Sequence, residues 1–323
     1  MVKGVVAAST RARFYGKLRS DPEYLGRLDG EEPDISFGDW LDRGMGFAYH
    51  EGKSRWRAAY DAGAIQGFVY RTHATAGRAL TGVLAPSQDS FGRAFPIVAV
   101  TTIALDAPSA LASLPVGGET FAADAGAALR DARALASTTP VTSALPEIPL
   151  PNDAALEEAL GDFGECIARS GLVAKLWKAL FPRDRAEAAV RVIAALVTAT
   201  RTLRSEPGGD ARRYVRLPLG TGGSAAASFW LHLLDRIAGE NTVPVATWSL
   251  TPDGALFAVL GKEPPVDFLL RLWTASFDDD QTIDAARLRS EAISDSSLPL
   301  GLARAARAPD SRIADLLECL ATS

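Results

Sequence analysis

Cysteine and histidine are scarce in this chain: two cysteines, Cys166 and Cys319, and three histidines, His50, His73 and His232, occur among 323 residues. The cysteines stand far apart, with no Cys-x-x-Cys pair and no Cys/His ligand spacing, which excludes a disulfide framework and a structural zinc site as organising devices. Such usage suits a reducing compartment. Long apolar runs are missing too. Val5 to Ala8 is too brief for the hydrophobic region of a secretory signal, and the apolar stretch from Val190 to Leu203 is bracketed by Arg191 and Arg201. That stretch falls well short of the roughly 20 residues a spanning helix needs. No long block of one charge sign appears either. The 39 acidic and 34 basic residues leave a formal charge of -5, which argues against nucleic acid and anionic membrane surfaces as partners. These absences lead to the expectation of a soluble, cytoplasmic protein with no stable membrane insertion.

Proline marks the main seam. Residues 137–151, STTPVTSALPEIPLP, combine four prolines with several Ser and Thr residues and read as a linker. They divide the chain into a first α/β lobe, residues 1–136, and a second, residues 152–323. In the first lobe the patterning predicts a strand at Arg13 to Leu18 and a helix from Ser36 to His50, with Ser36 as N-cap and Phe37, Trp40, Leu41, Met45 and Tyr49 along one face. A short helix carrying Trp56 and Tyr60 follows. Apolar runs at Gln66 to Tyr70, Ala79 to Ala85 and Phe95 to Ile103 read as strands, and Ala122 to Leu135 as a helix. The second lobe reads as a helical start from Asp153 to Phe181 and a helix from Asp184 to Leu203. Strand Arg213 to Leu219, helix Ala225 to Ile237, strands Val243 to Leu250 and Ala255 to Leu260, and helix Val266 to Ser276 come next, with a peripheral polar segment from Asp278 onward. The expected fold is α/β, layered in the α+β manner, with mixed or mainly antiparallel sheets flanked by helices in two lobes.

The most distinctive stretch is Gly82 to Ile97, GVLAPSQDSFGRAFPI, where one strand stops at Pro86 and another restarts at Phe95. Its residues suit a self-organised turn. Ser87 and Asp89 can accept backbone N–H bonds, Gly92 permits positive φ, and Arg93 can pair with Asp89 across the loop. Pro96 falls at a strand start, where a missing N–H is tolerated. A structural connection whose Asp89 and Arg93 side chains are satisfied within the protein is therefore predicted.

This stretch resembles the TagF (ImpM) family, whose members carry a pattern close to GVLxPSxDxxGRxFP. Gly82, Val83, Leu84, Pro86, Ser87, Asp89, Gly92, Arg93, Phe95 and Pro96 match it. Upstream, Phe14-Tyr15-Gly16-Lys17-Leu18 matches the family's FYGKL, and Trp40-Leu41 matches the second half of its WDxWL helix, in the same order. Two departures stand out. Ser20-Asp21-Pro22-Glu23-Tyr24 replaces a small residue followed by Gly-Asp-Phe, and Phe37-Gly38 stands where the family often has Trp-Asp. The resemblance implies a cytoplasmic, non-enzymatic accessory protein that represses a bacterial type VI secretion system after translation. Its implied partner is the forkhead-associated scaffold protein Fha, and no cofactor or metal is implied. Tyr15, Gly16, Lys17, Trp40, Pro86, Ser87, Asp89, Gly92, Arg93 and Pro96 become the candidate interaction residues, which places the working surface in the first lobe.

The rival class is a hydrolase or nucleotide-binding enzyme. Ser87, His73 and Asp89 could supply nucleophile, base and orienter, yet Ser87 lies in no GxSxG elbow. The turn Gly220-Thr221-Gly222-Gly223-Ser224, between a predicted strand and helix, could hold phosphate at a helix start. It lacks the Lys-Ser/Thr ending of a P-loop, and Ser224 reads more simply as an N-cap. Asp278-Asp279-Asp280 lacks the glycine and terminal Glu of a calcium loop and reads as a solvated helix start before Ile283. His232, inside SFWLHLLDRI, reads as a helix-face residue, and the tryptophans as core.

Overall fold

A computed structural model describes residues 12–28, 32–72, 77–105, 110–151, 171–181, 185–205, 212–239, 242–251, 254–275, 279–288 and 298–321, together with the single residues 158 and 161. The strands are β1 (Arg13–Gly16), β2 (Leu25–Gly26), β3 (Gln66–Tyr70), β4 (Arg78–Ala85), β5 (Ile97–Ala104), β6 (Arg213–Pro218), β7 (Val245–Ser249), β8 (Ala255–Leu260) and β9 (Thr282–Asp284). Among the described residues these nine form one open sheet in the order β2-β1-β5-β4-β3-β7-β8-β6-β9. Every neighbouring pair is antiparallel except β6 with β9. The fold is thus the expected α+β arrangement, and its sheet runs through both expected lobes: Gln66 to Tyr70 of β3 pair with Ser249 to Val245 of β7.

The helices are α1 (Asp34–Glu51), α2 (Lys53–Asp61), α3 (Ala110–Gly117), α4 (Glu119–Leu135), α5 (Thr139–Ala144) and α6 (Val173–Leu180). They continue with α7 (Arg185–Ser205), α8 (Gly223–Ala238), α9 (Phe268–Thr274), α10 (Ala285–Leu288), α11 (Leu300–Arg307) and α12 (Ile313–Ala321). They cover both faces of the sheet. In a strand successive side chains point to opposite faces. Phe68 and Tyr70 of β3, Leu80 and Leu84 of β4, and Val98 and Val100 of β5 accordingly join Phe37, Trp40, Trp56, Phe268 and Trp273 from α1, α2 and α9 in one aromatic core. Their alternates, Val83, Ala85, Ile97 and Ala99, meet Phe121 and Leu129 of α4 on the other face. Burial on both faces explains why the strands read as nearly continuous apolar runs.

Several local expectations are corrected. Helix α1 begins at Asp34 with Pro33 at the N-cap position and no side-chain cap. Ser36 lies inside the first turn, where its hydroxyl donates to Pro33 O at 3.1 Å. Likewise Gly222, not Ser224, occupies the N-cap of α8, again without a side-chain cap. Within the Pro-rich seam, Thr139–Ala144 is helical and Val141, Leu145 and Ile148 are buried beside α4. Most of Asp153 to Phe181 lies outside the described residues, its described end being α6. The segment after Asp278, expected at the periphery, supplies β9 to the sheet and Leu302 and Leu316 to the core. Asp279 precedes that strand rather than a helix, and pairs with Arg271 at 2.6 Å.

Candidate functional site

The two sequence motifs meet in space. Strand β1 lies against β5, pairing Tyr15 with Val98, and Gly16 ends it at φ 137°. A Cβ at Gly16 would stand 2.2 Å from Pro96 O, so only glycine lets the strand approach the end of the 86–96 loop. Lys17, next in the chain, is buried, and its Nζ lies 3.0 Å from Asp89 Oδ2 and 4.6 Å from the centre of the Tyr24 ring.

Asp89 organises the loop. It is 1% exposed. Its Oδ1 accepts the backbone N–H groups of Phe91 and Arg93 at 3.0 and 2.8 Å, while Oδ2 accepts Lys17 Nζ and Arg93 Nε. Burial alone would push this carboxyl up, but the Arg93 N–H and the two cations outweigh it and hold the pKa down at about 2. Gly92 makes the reversal at φ 79°. Arg93 also donates to Pro22 O at 2.9 Å. The predicted self-satisfied turn is present, with Lys17 as a third partner that composition and spacing had not revealed.

Ser87 is equally committed. Its hydroxyl donates to Lys17 O at 2.6 Å, and the Tyr60 hydroxyl bridges its backbone, accepting from Ser87 N and donating to Ser87 O at 2.8 Å each. Pro86, directly after β4, is buried. On the outer side Tyr15 and Tyr24 stack at 5.3 Å, and both meet the edge of Phe95. Phe91, at the loop tip, is 75% exposed with the Arg93 guanidinium 5.5 Å from its ring centre.

This geometry lies within a stretch that matches a known domain. Residues 13–148 match the model of the TagF N-terminal domain, described as type VI secretion system-associated. That part of the chain is a TagF N-terminal domain. No curated protein matches the chain. Among solved structures, the crystal structure of PA0076 from Pseudomonas aeruginosa PAO1 is similar at 18% identity, over 83% of this chain and 96% of that chain, with a TM-score of 0.40.

Within the TagF N-terminal domain, β1 and the 86–96 loop bring Tyr15, Gly16, Lys17, Pro86, Ser87, Asp89, Gly92, Arg93 and Pro96 together, whereas Trp40 stands apart. Trp40 is buried in the aromatic core and donates its indole N–H to Pro265 O at 3.0 Å. It ties the TagF N-terminal domain to the turn before α9. The Gly220 to Ser224 turn is also remote from the motif cluster: a Cβ on Gly220 would stand 2.0 Å from Ala179 O, so its backbone is pressed against α6. His232 lies on α8, where burial and the neighbouring Arg236 push its pKa down to about 4. His73 lies outside the described residues. Among the described residues no group of three or more His, Cys, Asp or Glu side chains could hold a metal ion, and no helix is long and apolar enough to cross a membrane.

A cleft beside the loop escaped sequence reasoning. It measures about 310 Å³ and is lined by Arg19, Asp61, Ser87, Gln88, Arg130 and Arg133, among others. These residues come from four separate segments and form no motif; the Arg-x-x-Arg spacing on α4 is their sole trace in the sequence.

Proposed function

We propose that this protein is a non-catalytic repressor of a type VI secretion system, acting after translation in the cytoplasm by binding the forkhead-associated scaffold protein Fha. The association with type VI secretion rests on the TagF N-terminal domain; the regulatory role and the partner are our reading. The observation that carries it is Phe91, a large apolar side chain left 75% exposed on a loop whose base is fixed by the Lys17, Asp89 and Arg93 ion cluster. Binding energy concentrates in a few aromatic and Arg anchors, and a preorganised loop loses little entropy when it docks. Phe91 and Arg93, flanked by the half-exposed Tyr24, form such an anchor set.

Binding rather than catalysis is supported by the state of the loop's reactive groups. The Ser87 hydroxyl directs its proton at a carbonyl oxygen, and both oxygens of Asp89 are engaged by donors. Neither is poised as a nucleophile or as the orienter of a base.

The test is a titration of the purified full-length protein against the Fha scaffold, with Phe91→Ala as the probe. Phe91 packs on little besides Arg93, so the variant should keep its unfolding temperature while losing about 2 kcal/mol of affinity, roughly a thirtyfold change. Unchanged affinity would remove the loop tip from the interface, and no measurable binding by the wild type would sink the reading itself.

A further inference from the structure

The cleft beside the motif loop carries a surplus of positive charge, with three arginines against one aspartate among its lining residues. Arg130 and Arg133 are three residues apart on α4, which puts both on one face, and Arg19 reaches the same cleft from the turn after β1. Asp61 is the acidic side chain among its lining residues. Both carboxylate oxygens of Asp61 are already held by Arg57 Nε, at 3.0 and 2.9 Å, and the same Arg57 holds Gln88 Oε1. Three arginines therefore line about 310 Å³ of open space. Among the described residues none of the three donates a side-chain hydrogen bond or enters an ion pair.

One bland role is available to Arg133, which sits in the last turn of α4, where a cation suits the helix dipole. That does not account for Arg19 and Arg130 converging on it. Burial is the main influence that disfavours the charged form of Arg133, and the charge of Arg19 adds to it, while Tyr60 and Asp61 offset part of the effect. Arginine keeps its proton nonetheless, so the crowding is an electrostatic cost that an anion would relieve.

We infer that this cleft is a binding site for a phosphate-type dianion, either inorganic phosphate or a phosphomonoester. A planar guanidinium presents paired N–H donors that match the oxygens of phosphate, and three of them approaching from two elements suit a tetrahedral group better than one planar carboxylate. The cleft is too short a run of charge to track a nucleic-acid backbone on a chain of net charge -5. The site is independent of the scaffold-binding reading: it opens beside the base of the loop, lined by Ser87 and Gln88, and does not use Phe91.

The experiment is a titration of the full-length, isotope-labelled protein, followed by amide chemical shifts, with inorganic phosphate, O-phosphoserine and adenosine monophosphate in parallel at constant ionic strength. Saturable shifts confined to residues 18–19, 86–88 and 130–134 are expected. Arg19→Gln and Arg130→Gln, both at exposed positions, should each weaken binding at least tenfold, and Arg133→Gln should weaken it further. The three ligands separate the sources: the tightest of them marks a free ion, a phosphorylated side chain or a nucleotide. The inference is overturned if none of the three saturates by about 10 mM, beyond the range of a weak specific site. It is overturned equally if binding survives Arg19→Gln and Arg130→Gln unchanged.

Discussion

Asp89 is the residue on which the motif region depends, because its carboxylate holds the buried Lys17 ammonium across the gap between β1 and the loop. Removing one member of a buried ion pair leaves the other charged and desolvated, at a cost of several kcal/mol. Asp89→Asn is therefore expected to destabilise the protein by about 3 kcal/mol at neutral pH, measured by urea unfolding; a loss under about 1 kcal/mol would show that the cluster is solvated in practice. The pH dependence has a definite sign. The carboxyl is held at about 2 in the fold against an ordinary 3.8, so its contribution is fully present above pH 4 and is lost as pH falls through 2. The stability gap between wild type and Asp89→Asn should accordingly narrow between pH 4 and pH 2. A gap that stayed constant across that window would mean that Asp89 is not linked to folding through its charge.

At the scale of elements, the docking of β1 onto the loop depends on Gly16 more than on any side chain. A substitution there meets both a positive φ and the backbone of Pro96 and Ile97, whereas Gly92, also at positive φ, has nothing within 4 Å of an added Cβ. Gly92→Ala should therefore cost only the conformational penalty of about 1–2 kcal/mol. Gly16→Ala should cost more than about 3 kcal/mol, since backbone cannot step aside as a side chain can. Equal losses in urea unfolding would contradict the close approach of β1. Both glycines stood out in the sequence, and so did β3, β4 and β5, because strands buried on both faces are written as uninterrupted apolar runs. The caps did not. Ser36 and Ser224 satisfy a local rule for helix starts, but Pro33 and Gly222 take those positions. Strand β9 has three residues, too few for a period, and α11 and α12 mix arginine and aspartate with their buried leucines, so the tail read as peripheral. The arginine cleft was illegible for a different reason: Arg19, Arg130 and Arg133 become neighbours only when α4 packs on the sheet that contains β1.

For the whole molecule, the decisive contact is β3 against β7. The Pro-rich seam at 137–151 looks like a place to cut, yet a cut there would leave Gln66 to Tyr70 without the backbone partners that β7 supplies. It would also strip the aromatic core of Tyr214, Phe257, Phe268 and Trp273, and leave Trp40 without Pro265 O. An exposed strand edge beside an uncovered apolar face is an aggregation site. A fragment of residues 1–151 is therefore expected to associate or precipitate when expressed alone, and to become soluble and cooperatively folded when residues 152–323 are co-expressed with it as a separate chain. Size-exclusion chromatography and a thermal melt of the co-expressed pair would check this, the pair eluting as one complex with a single transition. A fragment 1–151 that remained monomeric and melted as sharply as the whole chain would show that the TagF N-terminal domain is stable without β7. Scaffold binding could then be assigned to it directly. If instead the two pieces fold only together, the second half acts on function by completing the sheet that holds β4 and β5, and hence the loop between them, in place.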